Sequence, residues 1–124
     1  MVPLNILPTE DTPEIILDKE SQIFRIAGDS YSDDPFPVYQ RVFEWLEIYE
    51  KNPNSATTFD FILNYINTAS HKQIADVLMK LEAFKPITNV LIKWHYHNED
   101  DDMLDEGRAL EALIRLDFDF VEYS

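Results

Sequence analysis

The sequence has no cysteine and only two glycines, Gly28 and Gly107. Without cysteine there are no disulfides, thiolate metal sites, iron–sulfur clusters or thiol nucleophiles. With two isolated glycines there is no glycine-rich phosphate loop and no G-x-S-x-G nucleophile elbow. Basic residues are also scarce: ten lysines and arginines face 24 aspartates and glutamates, a net charge of −14. Such a surface repels phosphate backbones and anionic headgroups, which argues against nucleic-acid and membrane binding. No run approaches the roughly 20 apolar residues of a membrane span. Residues 1–10 lack the basic stretch and apolar run of a secretory signal, so a cytoplasmic location is expected.

What remains is rich in apolar side chains. Hydrophobic residues make up 45% of the 124, with eight phenylalanines, six tyrosines and two tryptophans. This is too much apolar content for an acidic disordered tail. It suits one domain, residues 1–124, large enough to bury a core without covalent staples. No internal repeat or linker interrupts the chain.

Residues 1–11, with Pro3 and Pro8, read as an irregular arm. Ile15-Ile16-Leu17 and Ile23-Phe24-Arg25-Ile26 flank a polar stretch in the pattern of a β-hairpin, and Gly28-Asp29-Ser30 is expected to break the chain. Between Pro35 and Lys51 the period changes: Tyr39, Val42, Leu46 and Tyr49 recur at three- and four-residue steps, the stripe of an amphipathic helix. Phe59, Phe61, Leu63 and Tyr65 alternate as one face of a strand. Ile74, Val77, Leu78 and Leu81 form a second helical stripe, and Val90, Ile92, Trp94 and Tyr96 another strand face. Met103, Gly107, Leu110 and Ile114 mark a third helix, before a last strand from Asp117 to Tyr123. The order β-β-α-β-α-β-α-β predicts a single α/β domain with a mixed sheet of about five strands and three helices. Gly107 on an apolar helix face implies close approach of that helix to the sheet.

Three groups of residues could carry chemistry. His95 and His97 lie two apart on a strand, so they point the same way, and Glu99, Asp100, Asp101 and Asp102 follow. A metal-dependent enzyme could be drawn from them, although consecutive acids point apart and also suit a helix N-terminus. Close carboxylate pairs are inevitable with 24 acids and identify no active site. His71 follows Ser70 directly, which is not a nucleophile–base geometry. The third group is Asn67-Thr68-Ala69-Ser70-His71-Lys72-Gln73. Ser70 and Gln73 match a capping box, with Ser70 expected to cap the second helix. Thr68 is then either a plain turn residue or a hydroxyl beside a helix N-terminus, where a phosphate would find free amides and a favourable dipole.

Several motifs in order extend the third group. They are Gly28-Asp29-Ser30-Tyr31, the stretch Tyr39 to Tyr49, Phe61 to Lys72 with Asn67-Thr68-Ala69-Ser70, Trp94-His95-Tyr96, Asp100-Asp101-Asp102-Met103, and Gly107. From about Thr12 to Phe118 the chain resembles the SiaC family of regulatory phosphoproteins. Ser32, Ala69 and Arg108 depart from that pattern. The resemblance implies a STAS-like domain without catalytic activity or cofactor. It implies phosphorylation of Thr68 by a partner kinase, reversal by a phosphatase, and binding and activation of a diguanylate cyclase in cyclic-di-GMP and biofilm signalling. Asn67, Ser70, Asp29, Ser30 and Tyr31 are the expected neighbours in partner contact. A constitutive adaptor without a switch is the other reading.

Overall fold

A computed structural model describes all 124 residues. The elements are β1 (Leu4–Ile6), β2 (Glu14–Asp18), β3 (Ile23–Ser30), α1 (Phe36–Tyr49), β4 (Ala56–Ile66), α2 (Thr68–Glu82), β5 (Asn89–His97), α3 (Asp101–Leu113) and β6 (Asp117–Tyr123). They form one six-stranded sheet in the order β1-β2-β3-β4-β5-β6, each strand beside its predecessor in sequence. The first two pairings are antiparallel and the remaining three parallel. Each parallel pairing is bridged by one helix. Right-handed crossovers that step steadily across a sheet place all their helices on one face.

Burial follows that geometry. Ile15, Leu17, Phe24, Ile26, Phe59, Phe61, Leu63, Ile92 and Trp94 point to the helical side and are at most 1% exposed. They meet Tyr39, Val42, Leu46, Ile74, Val77, Leu78, Leu81 and Leu110 in a single core. Each buried side chain of this size contributes about 1.5–3 kcal/mol through removal from water. Aromatic rings run through the core, with Phe24–Tyr49 at 5.2 Å, Phe59–Phe61 at 4.9 Å and Phe61–Trp94 at 5.5 Å between centroids. Lys80 ties α2 to α1 through Glu47 at 2.8 Å and Glu50 at 3.4 Å. Side chains on the other sheet face, such as Ile16, Arg25, Asp60, Ile62 and Lys93, are only half-buried. No helix is long and apolar enough to cross a membrane.

The sheet has six strands, not five. The N-terminal arm supplies the extra one: Leu4 and Ile6 pair with Leu17 and Ile15, and lean on the core from the sheet edge. A second correction concerns the break expected at Gly28. β3 runs on to Ser30, with Gly28 at φ 106° and a register shift between Gly28 and Asp29. Gly28 pairs with Leu63 but Asp29 pairs with Tyr65, so Asn64 is the extra residue of a bulge. An inserted residue reverses which face the following side chains occupy. Tyr65 therefore leaves the core face, where the alternation placed it, and is 56% exposed, while Ile66 is buried. The close approach at Gly107 is present: a Cβ there would lie 2.5 Å from two atoms of the Trp94 ring.

Candidate functional site

The parallel strands β3 to β6 end along one edge, where their following segments converge. Ligands of open α/β sheets bind at this carboxyl edge. Thr68 stands there, exposed, as the first residue of α2. Its position is set by Asn67, which is the N-cap. The Asn67 carbonyl accepts the first intrahelical bond from His71 N at 2.9 Å, and its side-chain Oδ1 accepts from Ser70 N at 2.9 Å. Asn67 also donates Nδ2 to Ser32 O at 3.2 Å and its backbone N to Ser30 O at 3.1 Å. One residue thus caps the helix and fastens it to the end of β3. The amides of Thr68 and Ala69 lie in the first turn, where no intrahelical acceptor exists.

Ser70 does not cap α2, contrary to the capping-box reading. Asn67 precedes it with an equally good cap side chain, and the helix starts one turn earlier. Ser70 is fully buried and Ser30 is 1% exposed. Ser30 Oγ donates to Ser70 Oγ at 2.7 Å and lies 2.9 Å from Tyr39 Oη. This trio joins β3, α1 and α2 beneath Thr68. Ser30 and Ser70, expected beside a partner, therefore lie beneath the surface with their hydroxyls turned to each other and to Tyr39. Burial pushes the Tyr39 phenol up to about 12, with the Ser30 hydrogen bond opposing the rise.

Asp29 and Tyr31 do reach the rim. The loop after β3 is held by Asp11, whose carbonyl accepts from Tyr31 N and Ser32 N at 2.9 and 3.1 Å. Tyr31 packs edge-on against Tyr65 with centroids 5.7 Å apart. Its phenol is raised above the ordinary tyrosine value by burial first, then by the charges of Glu10, Asp29 and Asp11. Next to the pair, a depression of about 380 Å³ is lined by Tyr65, Ile66, Asn67, Thr68, His71 and Glu106. A larger groove of about 700 Å³ continues between the end of β4 and α3, where Asp102, Asp105 and Glu106 line it with Met103.

Two features of this surface escaped the sequence, the pairing of His71 and the outward turn of Tyr65. His71 Nδ1 lies 2.6 Å from Glu106 Oε2, linking the first turn of α2 to α3. Nothing in the sequence pairs residues 35 apart. Tyr65 was hidden by the bulge at Asn64, which no periodicity in the sequence announces.

The histidine–aspartate group does not come together. His95 Nε2 lies 2.7 Å from Asp60 Oδ1 on the sheet face away from the helices. His97 Nδ1 accepts from Glu99 N at 3.0 Å, and its ring meets Tyr123 edge-on. Asp100 caps α3 by accepting from Met103 N at 3.0 Å, with Asp101 and Asp102 in the first turn. No three His, Asp or Glu side chains gather around one point that could hold a metal ion.

Fold and site define a small one-sided α/β domain whose carboxyl edge presents an exposed threonine on an aromatic and acidic rim. The model of the SiaC family regulatory phosphoproteins matches residues 6–123, and the chain belongs to that family. An uncharacterised protein of Pseudomonas aeruginosa strain UCBPP-PA14 is 30% identical over 102 residues, 82% of this chain and 81% of that one. The crystal structure of apo-SiaC from Pseudomonas aeruginosa superposes with a TM-score of 0.89 at 25% identity, covering 98% of this chain and 99% of that one. A similar match, TM-score 0.89 at 25% identity over 97% and 99% of the chains, is to the crystal structure of the diguanylate cyclase SiaD in complex with its activator SiaC, also from Pseudomonas aeruginosa.

Proposed function

We propose that this protein is a non-catalytic cytoplasmic regulator that binds and activates a diguanylate cyclase and is switched by phosphorylation of Thr68. A kinase adds the phosphate and a phosphatase removes it. The observation that carries this reading is the placement of Thr68: an exposed hydroxyl at the first position of α2, held by Asn67 on the rim of the depression it shares with His71 and Glu106. The relative crystallised with SiaD, matched over nearly its full length, supports a cyclase as the target.

The physics gives the switch its direction. A phosphothreonine brings about −1.5 to −2 charges and three acceptor oxygens. At Thr68 the dianion stands one helical turn from His71 and shares a depression with Glu106. It attracts the imidazole, repels the carboxylate, and so competes with the His71–Glu106 bond. A partner covering the depression must also strip water from the phosphate. A combined penalty of about 2.8 kcal/mol weakens binding a hundredfold.

The test compares wild type, Thr68→Ala and Thr68→Glu for binding and activation of the purified cyclase. The proposal expects the first two to bind and activate, and Thr68→Glu to lose about a hundredfold in affinity. Equal binding by all three makes the protein a constitutive adaptor, with Thr68 a plain helix-start residue.

A further inference from the structure

Parallel sheets are normally covered on both faces. Here β3 to β6 are parallel, yet all three helices and the whole core lie on one side. The bare face has an ordered composition. One row across it, fixed by strand register, reads Arg25, Asp60, Lys93, Asp119, from β3 to β6. Charge alternates at every step. The next row reads Ala27, Ile62, His95, Val121, mainly apolar and half-buried. Arg25 is 3.8 Å from Glu14, and Asp60 is held by His95. Lys93 and Asp119 make no ion pair within the chain.

We propose that this bare face is the interface of a twofold dimer, the occupant being a second copy of the same chain. Sheets pack face to face about 10 Å apart with their strands roughly aligned. A twofold axis parallel to the strands, midway between β4 and β5, lays β4 on the partner's β5 and β3 on the partner's β6. Arg25 then faces the partner's Asp119, and Asp60 faces the partner's Lys93. Each contact occurs twice, and the two charges left without partners in the single chain, Lys93 and Asp119, both receive one. Ala27 meets the partner's Val121 in the apolar row. An axis across the strands instead sets arginine on arginine and lysine on lysine, or charges on apolar residues. The charge pattern therefore selects one symmetry.

Four strands about 4.8 Å apart and some eight residues long cover roughly 500 Å² per copy. The total, about 1,000 Å², is at the lower bound for a specific interface, so the dimer dissociates on dilution. The chosen axis also keeps the carboxyl edges of both copies, and both Thr68 sites, at the same end. This arrangement does not depend on the switch proposed above; the dimer stands or falls without it.

Sedimentation velocity of the full chain tests the idea over a hundredfold concentration range at about 0.15 M salt, where the Debye length is about 8 Å. Wild type should move from monomer to dimer. Asp119→Arg sets arginine against the partner's Arg25 and should weaken association at least tenfold. The double variant Arg25→Asp with Asp119→Arg exchanges the two charges across the interface. It should recover part of the loss, not all of it, because each then has a like-charged neighbour, Asp60 or Lys93, in its own sheet. Circular dichroism confirms that each variant is folded. As a measurement that needs no variant, dilution of wild type should shift amide resonances of β3 to β6 and leave those of α1 to α3 in place. Wild type that stays monomeric throughout, association indifferent to Asp119→Arg, or a folded double variant that associates no more tightly than Asp119→Arg each overturns the proposal.

Discussion

Asn67 and Gly107 do opposite kinds of work at single positions. Asn67 supplies groups: its side chain caps α2 and reaches the loop after β3, so the same residue sets both the angle of the helix and the exposure of Thr68. Gly107 supplies space. The Trp94 ring is fully buried and its Nε1 donates to Met103 O at 2.9 Å, so it is fixed where α3 crosses it. A methyl group at 107 would fall 2.5 Å from Trp94 Cδ1 and Nε1 and 2.8 Å from Phe120. Alanine improves helix propensity by up to about 1 kcal/mol, but overpacking against an anchored ring costs about 1–3 kcal/mol, and displacing the ring strains its hydrogen bond as well. Gly107→Ala should lose about 2 kcal/mol net, seen as a lower urea midpoint with an unchanged slope. An unchanged or higher midpoint would mean that the ring yields freely. This contact was legible in the sequence. A glycine in an apolar helical stripe gives up both helix propensity and buried area, and close packing is what offsets that loss. The cap was legible in type and wrong in position. Asparagine and serine three residues apart are both good caps, and only the backbone bond from His71 decides between them.

Between elements, the junction beneath Thr68 is built from hydroxyls: Ser30 of β3, Tyr39 of α1 and Ser70 of α2. Buried and mutually satisfied, they hold three elements at one distance from the site. Tyr39 gives this junction a measurable signature. Its phenol titrates at about 12 in the folded chain against an ordinary value of 10.0. The folded value is raised, so the contribution to stability is fully present below about pH 10. Between about 10 and 12 the unfolded chain loses a proton that the folded chain keeps, and stability falls by an amount on the order of 2–3 kcal/mol. Tyr39→Phe should remove that part of the alkaline decline, while lowering stability at neutral pH by about 1 kcal/mol for the lost hydrogen bond. Urea midpoints of the two proteins across this range check it; parallel curves would mean that the phenol ionises without regard to folding. The helices and central strands could be read from periodicity because each buries a regular stripe. The junction could not, since Ser30, Tyr39 and Ser70 are far apart in sequence and belong to no pattern. β1 was missed because three residues carry too little period, and Tyr65 because a bulge reverses the alternation on which the reading depends.

Across the whole molecule the excess of acid sets a field that individual contacts must oppose. Only ten basic side chains balance 24 acidic ones, and they are spread among local pairs such as Lys80 with Glu47 and Glu50. Self-repulsion of a net −14 destabilises the compact state. Salt acts on the two contributions in opposite senses. It screens repulsion between distant acids, which stabilises, and weakens the exposed pairs, which destabilises. Raising sodium chloride from about 0.01 to 0.1 M shortens the Debye length from about 30 to 10 Å. At the longer distance most acids of a domain this size interact; at the shorter one only neighbours do. Exposed pairs contribute at most about 1 kcal/mol each, and often less. The long-range repulsion is the larger quantity here, so the thermal midpoint should rise by a few degrees, equivalent to about 1 kcal/mol. The sign is the informative result. A midpoint that falls with salt would show that local pairs, Lys80 with Glu47 and Lys72 with Asp76 among them, outweigh the field. A rising midpoint would show that repulsion among the 24 acidic residues outweighs the local pairs and holds the stability of the fold down at low salt.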